Sequence, residues 1–289
     1  MLRVRRWSVL HSGFLETVCR VFESAMTSTT QERIQAADRE SANALPVLSR
    51  TRPTVVIACG AMRELLQDRI PKDTATFYLE TTLHNTPKKL AAALQQEVDA
   101  VARPSNIIVG YGLCGNGVVG VKSRAHTLII PRTHDCVAIF LGSHQRYVQR
   151  FFANPNTYYL TRGWLEAHDD PLHDYLYYVK DYDEETADYL VEMKYRHYRR
   201  LCMLGFSQKE LDACRPMAMA VADFCRARWG IEYEETTGST ALLESLLKMP
   251  ANPDSANPEI VVVPPGGEIR MEMFLGQREV APRPLGRGE

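Results

Sequence analysis

The chain has 289 residues, of which 45% are hydrophobic and 24% charged, and its formal net charge at pH 7 is -1. This composition is that of a globular protein with room for one large domain or two small ones. It lacks the basic excess that binds a phosphate backbone, and no apolar run approaches the roughly 18 residues needed to cross a bilayer. Nucleic acid and membrane are therefore not expected as partners.

Residues 1–52 predict a flexible or partly helical extension that precedes the folded domain. Arg3, Arg5 and Arg6 stand before a modest apolar stretch, but polar residues interrupt that stretch and no clear cleavage pattern follows it. A start at Met26 in place of Met1 is an open alternative. The chain's seven cysteines are scattered and odd in number, which favours reduced thiols and a cytoplasmic location.

From Thr54 onward, short apolar runs alternate with helical patterns, which predicts an α/β domain over residues 53–276. We expect a mostly parallel open sheet with helices on both faces. The predicted strands of the first half are TVVIACG, TFYLE, NIIVGYG and TLIIPRT. Its predicted helices are MRELLQDRI, KKLAAALQQEVDAVA, with Thr86 as N-cap and Pro87 in its first turn, and CVAIFLGSHQRYVQRFF.

The second half is less regular, and the two halves, about 53–152 and 153–276, are candidates for a duplicated architecture. It contains the strand TYYLT, long helical stretches, the strand IEYEETT, the helix STALLESLLKM and a final strand IVVVPPG. Ser207 and Glu210 form a capping-box pattern. EIRMEMF predicts an edge strand or hairpin, and residues 277–289 predict a disordered tail.

A cysteine or a histidine follows each predicted strand of the first half. Because ligands in open α/β sheets bind beyond the carboxyl ends of the strands, we expect these side chains to meet in one site. They are Cys59, His84, Cys114, His134 and Cys136. The other cysteines lie in helical patterns or in the extension and are interpreted as small apolar residues.

Thiolate and imidazole are the usual ligands of zinc, and a catalytic zinc takes three protein ligands and keeps a fourth position open. Cys59, Cys114 and Cys136 supply such a set, with His134 as a competitor or an addition. Iron, alone or in an iron–sulfur cluster, is the second choice. Buried thiols without a metal are the competing explanation, because cysteine is commonly buried after strands.

A metal-free alternative uses the same loops. Cys114 would be a nucleophile, with His134 as its base and Asp135 orienting the histidine or carrying a proton. In the metal-dependent hypothesis, His84 or Asp135 moves protons.

Further residues are candidates for substrate binding. Asn85 and Asn116 would orient a substrate, Gly115 would let the backbone approach it, and Arg132 would bind an anionic group. GYGLCG also matches a dinucleotide fingerprint, but the segment that follows is too short and too rich in Gly and Val to form the required helix. Thr237, Gly238 and Ser239 precede a helix and would hold a carboxylate or phosphate there, although an ordinary N-cap is the simpler interpretation.

Several motifs occur together in one order: IACGAMRELL, LHNTPKKL, GYGLCGNG, PRTHDCVAIFLGS and TYYLTRGW. Over about Val55–Trp164, and more weakly to Pro264, the chain resembles the bacterial and archaeal domain-of-unknown-function family 1638. The resemblance implies an association with corrinoid-dependent methyltransferase components, and hence a corrinoid or methyltransferase protein as partner.

The leading hypothesis is a metal-dependent enzyme of one-carbon or methyl-transfer metabolism that acts on a small molecule. A non-catalytic accessory protein that binds a corrinoid, a haem or a methyl carrier is one alternative. A hydrolase or lyase with a cysteine nucleophile is the other.

Overall fold

The computed structural model describes residues 48–252 and 257–275 of the chain. These residues belong to a compact unit that spans Pro46–Glu289. The predictions for the extension as far as residue 47 and for the tail at 277–289 fall outside the described residues.

Strands and helices alternate along the chain, as the apolar patterns predict. The first half contains β1 (Thr54–Cys59), α1 (Arg63–Gln67), β2 (Ala75–Leu79), α2 (Pro87–Ala100), β3 (Asn106–Gly110), β4 (Thr127–Pro131), α3 (Val137–Leu141) and α4 (His144–Ala153). The second half contains β5 (Thr157–Leu160), α5 (Arg162–Glu166), α6 (Pro171–Asp181), α7 (Glu184–Tyr195), β6 (Arg200–Gly205), α8 (Gln208–Trp229), β7 (Glu232–Thr237), α9 (Ala241–Lys248) and β8 (Ile260–Val263). Short 3-10 turns cover Gly60–Met62, Thr81–Asn85, Met249–Ala251 and Met271–Phe274.

The first sheet has the strand order β2-β1-β3-β4-β8 and is parallel except for β8. β1, β3 and β4 are buried along nearly their whole length. Because β1 lies between β2 and β3, the chain leaves β1 toward one side of the sheet and returns on the other. This arrangement creates a switch point at the carboxyl ends of β1 and β3, where ligands bind in open α/β sheets.

The second sheet is parallel and has the order β5-β6-β7. The long helix α8 packs on β6 and β7 with a buried face that includes Leu211, Cys214 and Ala218. The mixed α/β class and the mostly parallel first sheet confirm the predicted fold class. The last strand, β8, leaves the second half and pairs antiparallel with β4 at the edge of the first sheet.

Two predicted elements of the chain are wrong. The single helix predicted from Cys136 to Phe152 is broken at Gly142, which has a φ of 89° and separates α3 from α4. A Cβ atom at Gly142 would lie 2.4 Å from the Cβ of Ser239, so the close approach of that loop explains the glycine. EIRMEMF forms a 3-10 turn at Met271–Phe274, and its predicted strand is reduced to one isolated bridge between Lys122 and Glu268.

Helix starts follow the predicted capping signals in part. Ser207 caps α8, because its hydroxyl accepts a hydrogen bond from the Glu210 backbone N–H at 3.2 Å. The α2 helix begins at Pro87 as predicted, but the Thr86 side chain makes no capping bond. Within the described ranges, no helix has both the length and the apolarity to span a membrane.

Candidate functional site

A cavity of about 380 Å³ opens at the switch point of the first sheet. One wall comes from the carboxyl ends of β1, β3 and β4, and the opposite wall comes from the end of α4, from β5 and from the loops around α5 and β6. The lining residues are Cys59, His84, Tyr111, Cys114, Gly115, Asp135, Cys136, Val137, Tyr147, Phe151, Asn154, Pro155, Thr157, Tyr158, Tyr159, Trp164, Asp169 and Tyr198. The site therefore draws on both halves of the domain.

Three thiols gather on the first wall of this cavity. The Cys114 and Cys136 sulfur atoms lie 3.2 Å apart, although the two residues are 22 positions apart in the chain. Cys136 lies close enough to Cys59 to raise the pKa of the Cys59 thiol, and all three thiols raise the pKa of the Tyr111 hydroxyl. The structure thus places all three cysteines at one cavity beside the strand ends.

Burial favours the protonated forms of the Cys59 and Cys136 thiols and of the Tyr111 hydroxyl. Loss of solvent raises the pKa of the Cys59 thiol to about 12, and the neighbouring Cys136 adds to the rise. The hydrogen bond with Cys114 raises the pKa of Cys136, and burial raises it further. Burial also raises the pKa of the Tyr111 hydroxyl. The Cys59 and Cys136 thiols and the Tyr111 phenol at the switch point are thus held in their protonated forms.

The two thiols of the pair are brought together by a clamp between the loops after β3 and β4. The backbone N–H of Leu113 donates to the Thr133 carbonyl at 2.8 Å, and that of Cys114 donates to the His134 carbonyl at 2.9 Å. Gly112 permits this approach, because a Cβ there would lie 2.6 Å from the Asp135 carbonyl carbon and oxygen.

The loop after β3, which carries Cys114, has an unusual backbone. Cys114, Gly115 and Asn116 have φ values of 45°, 62° and 70°, so three consecutive residues occupy the left-handed region. Such a conformation is costly for cysteine, and strain of this kind concentrates at functional sites. Asparagine tolerates the left-handed region better than most residues, which accounts for Asn116 without a ligand.

His84 lies at the cavity with one ring nitrogen already engaged. Its Nδ1 is 2.6 Å from the Thr81 carbonyl oxygen, and because a carbonyl only accepts, this nitrogen must carry the proton. In the neutral ring Nε2 is then the lone-pair nitrogen, as a proton acceptor requires. Asp169 stands behind this ring, with its Oδ2 at 3.8 Å from His84 Nδ1.

Asp135 also lines the cavity, and its carboxylate serves the local fold. Its Oδ1 accepts a hydrogen bond from the Val137 backbone N–H at 2.8 Å, at the start of α3. Burial raises the pKa of Asp135, while a hydrogen bond from Tyr147 opposes that rise. Asp135 remains a candidate for proton transfer, and it also stabilises the start of α3 through its hydrogen bond from Val137.

Four other predicted site residues lie outside the cavity lining. The His134 ring packs on that of His144, with centroids 5.2 Å apart. Arg132 binds the Glu259 carbonyl through its backbone N–H at 2.7 Å. Asn85 ends a 3-10 turn, and Asn116 lies within the turn in which the Gly117 backbone N–H donates to the Cys114 carbonyl. Of the predicted polar site residues, the cavity brings together Cys59, His84, Cys114, Asp135 and Cys136.

The segment Thr237–Ser239 also lies away from the cavity, where it joins β7 to the first half. The Ser239 backbone N–H donates to the Phe140 carbonyl at 3.0 Å, and the Thr237 carbonyl accepts from the Arg146 guanidinium at 2.8 Å. A Cβ at Gly238 would lie 2.6 Å from the Phe140 carbonyl oxygen. These residues are occupied by packing and by backbone hydrogen bonds.

Three residues that the sequence did not single out place buried polar atoms at the cavity. The Tyr111 hydroxyl, Trp164 Nε1 and Asp169 Oδ2 are buried and lack a hydrogen-bond partner within the described residues. Unsatisfied buried polar atoms are rare in proteins, and each calls for an explanation such as a ligand. Asp169 is hard to recognise in the sequence, since its neighbour Asp170 is an ordinary N-cap that accepts from Leu172 and His173.

The described ranges contain no ready-made group of three or more His, Cys, Asp or Glu side chains for a metal ion. The three thiols therefore do not form a finished ligand set in this arrangement, and the close pair is Cys114 with Cys136.

Fold and cavity together define an α/β protein with a thiol-lined cavity at the switch point of a mostly parallel sheet. The comparison with family profiles identifies it further. Residues 78–247, more than half of the chain, match the family described as "Protein of unknown function (DUF1638)", and the chain belongs to that family. No curated protein and no solved structure matches the chain significantly.

Proposed function

We propose that the chain is an enzyme of one-carbon or methyl-transfer metabolism whose Cys114–Cys136 pair holds a zinc or iron ion. The observation that carries the proposal is the 3.2 Å separation of the two sulfur atoms at the switch point. The one-carbon assignment itself rests on the family resemblance.

The sulfur spacing fits a shared metal better than a covalent bond between the thiols. Two thiolates on one tetrahedral zinc, each at about 2.3 Å, lie about 3.8 Å apart. A disulfide needs about 2.05 Å. The pair at 3.2 Å is thus about 0.6 Å from the first spacing and more than 1 Å from the second. Cys59, on the adjacent strand end, would turn toward the pair to become the third ligand.

A bound metal would supply a Lewis acid that polarises a substrate or activates a bound thiol or water. The chain's own residues have separate duties around it. His84 accepts a proton at Nε2, in the tautomer that the Thr81 carbonyl selects. Tyr111 places its hydroxyl beside the thiols, where it donates to a substrate oxygen. Aromatic residues on the opposite wall exclude water.

The alternatives fit the cavity less well. The cysteine nucleophile predicted from the sequence has His134 as its base, but His134 lies outside the cavity lining and packs on His144. A volume of about 380 Å³ is near the lower end of the range for sites that hold drug-sized ligands, which favours a small molecule over a corrinoid or haem. In this proposal a corrinoid would remain on a partner protein. The cysteines of the described ranges are all free thiols, which agrees with a reducing cytoplasm.

The proposal is tested by metal analysis of protein purified without a histidine tag, for the wild type, Cys114→Ser, Cys136→Ser and the control Cys214→Ala. Cys214 is buried in α8, away from the cavity. We expect about one metal ion per chain in the wild type and the control, and loss of metal in both serine variants. A wild type that takes up no zinc or iron on reconstitution would overturn the proposal.

A further inference from the structure

We propose that the cavity binds a small methylated ammonium cation that also carries an oxygen atom. This inference names the ligand class of the same cavity and rests on that cavity being the functional site. It does not require the metal.

The charge of the cavity wall favours a cation. Two carboxylates, Asp135 and Asp169, line the cavity, and across the described part of the chain no lysine or arginine lines it. The nearby Lys194 is bound to the carboxylate of Asp174. His84 donates its Nδ1 proton to the Thr81 carbonyl. An anionic ligand would therefore meet two carboxylates with no fixed positive charge to balance them.

The aromatic content of the wall favours a cation with methyl groups. Seven aromatic side chains line the cavity: Tyr111, Tyr147, Phe151, Tyr158, Tyr159, Trp164 and Tyr198. Aromatic rings attract cations through their negative faces and are the usual surroundings of methylated ammonium groups.

Asp169 is the carboxylate that would face the cation. Its side chain is only 6% exposed, and its Oδ2 has no hydrogen-bond partner within the described residues. The Thr81 side chain donates to the Asp169 carboxylate, but a buried carboxylate oxygen that accepts no hydrogen bond is still costly, and an opposite charge nearby relieves that cost. His84 Nδ1 stands at 3.8 Å, beyond hydrogen-bond distance, so it does not satisfy Oδ2.

Two buried donors at the same cavity account for the oxygen atom. Trp164 Nε1 lacks an acceptor within the described residues, and the Tyr111 hydroxyl has only the weakly accepting Cys59 sulfur beside it. A ligand oxygen would satisfy at least one of them, as buried polar groups require. The unpaired groups thus match a molecule with a cationic part and an oxygen-bearing part.

Choline is a suitable probe, because replacing its quaternary nitrogen by carbon gives an uncharged molecule of the same shape. We expect isothermal titration calorimetry to show choline binding at least about tenfold more tightly than this carbon isostere. Asp169→Asn should remove the preference. The control Asp99→Asn, which alters an exposed carboxylate paired with Arg124, should retain it. Equal binding of the two probes, or a preference that survives in Asp169→Asn, would overturn the inference.

A double variant, Cys114→Ser with Cys136→Ser, separates this inference from the metal proposal. It should lose metal and still prefer choline. Choline preference without metal in the wild type would sink the metal proposal alone, and metal without choline preference would sink the ligand inference alone. Loss of choline preference in the double variant, with the fold intact by circular dichroism, would also count against a cation site built by Asp169 and the aromatic wall.

Discussion

Substituting Gly112 by alanine is expected to separate the two thiols of the pair. Gly112 lies in the loop after β3, and an added Cβ would stand 2.6 Å from the carbonyl carbon and oxygen of Asp135 and 2.8 Å from its Cα. All three contacts are with backbone, which cannot turn away as a side chain can. To reach an ordinary contact of 3.4 Å, the two loops must move apart by about 0.8 Å.

That movement strains the clamp formed by the Leu113 and Cys114 backbone hydrogen bonds. Overpacking of this kind typically costs about 1–3 kcal/mol, and in a domain of this size it should lower the Tm by on the order of 5 °C. The spacing of Cys114 and Cys136 should increase as well, because each thiol is attached to one of the two loops.

The assay combines thermal unfolding with titration by phenylarsine oxide, a trivalent arsenical that bridges two neighbouring thiols. The wild type should bind the arsenical tightly, and Gly112→Ala should bind it at least tenfold more weakly. Gly120→Ala is the matched control, because Gly120 has a φ of 86° and an added Cβ there would contact nothing within 4 Å. That variant should lose stability through backbone strain while keeping its arsenical affinity. If Gly112→Ala kept the wild-type stability and arsenical affinity, Gly112 would not be needed for the close approach of the two loops.

Three further predictions concern ionisation and capping. Burial raises the pKa of Asp169, so the folded state holds its proton more tightly than the unfolded state does. Asp169→Asn should therefore stabilise the protein in urea titrations at neutral pH, and this gain should vanish below about pH 4, where the wild-type carboxyl is also protonated. Because the pKa of Cys59 is about 12, iodoacetamide should label it far more slowly than free cysteine near pH 8. Peptide mass spectrometry would measure this, and labelling at the rate of free cysteine would contradict the burial. Ser207→Ala should lower the free energy of unfolding by about 1 kcal/mol, through loss of the cap on Glu210, and an unchanged urea midpoint would contradict that role.

The first wall of the site could be predicted from the sequence because each of its cysteines is marked by the strand directly before it. Cys59, Cys114 and Cys136 each follow a recognisable buried strand, and parallel strands deliver their carboxyl ends to one edge. The order of the strands then determines which of these ends meet. His134 shows the limit of this reasoning, because it immediately precedes Asp135 and Cys136 in the chain yet packs outside the cavity.

The second wall could not be predicted, because it depends on where the second half packs. Tyr158 and Trp164 lie in elements whose patterns predict a strand and a helix but not the surface they cover. Asp169 precedes an N-cap aspartate and has no distinguishing local pattern. Gly142 likewise breaks a helix because Ser239 packs closely against it. The spacing of apolar residues along the sequence does not reveal such a tertiary contact.

We propose that Cys114 and Cys136 together hold a metal ion. Titration of the reduced, metal-free protein with Co²⁺ tests this directly. Thiolate bound to Co²⁺ gives a near-ultraviolet charge-transfer band, which reports sulfur ligation without an activity assay. We expect a band that saturates at one equivalent, is displaced by zinc, persists in Cys214→Ala and is lost when Cys114 and Cys136 are both replaced by serine. The absence of the band in the wild type, or its persistence in the double serine variant, would show that this pair does not hold a metal ion.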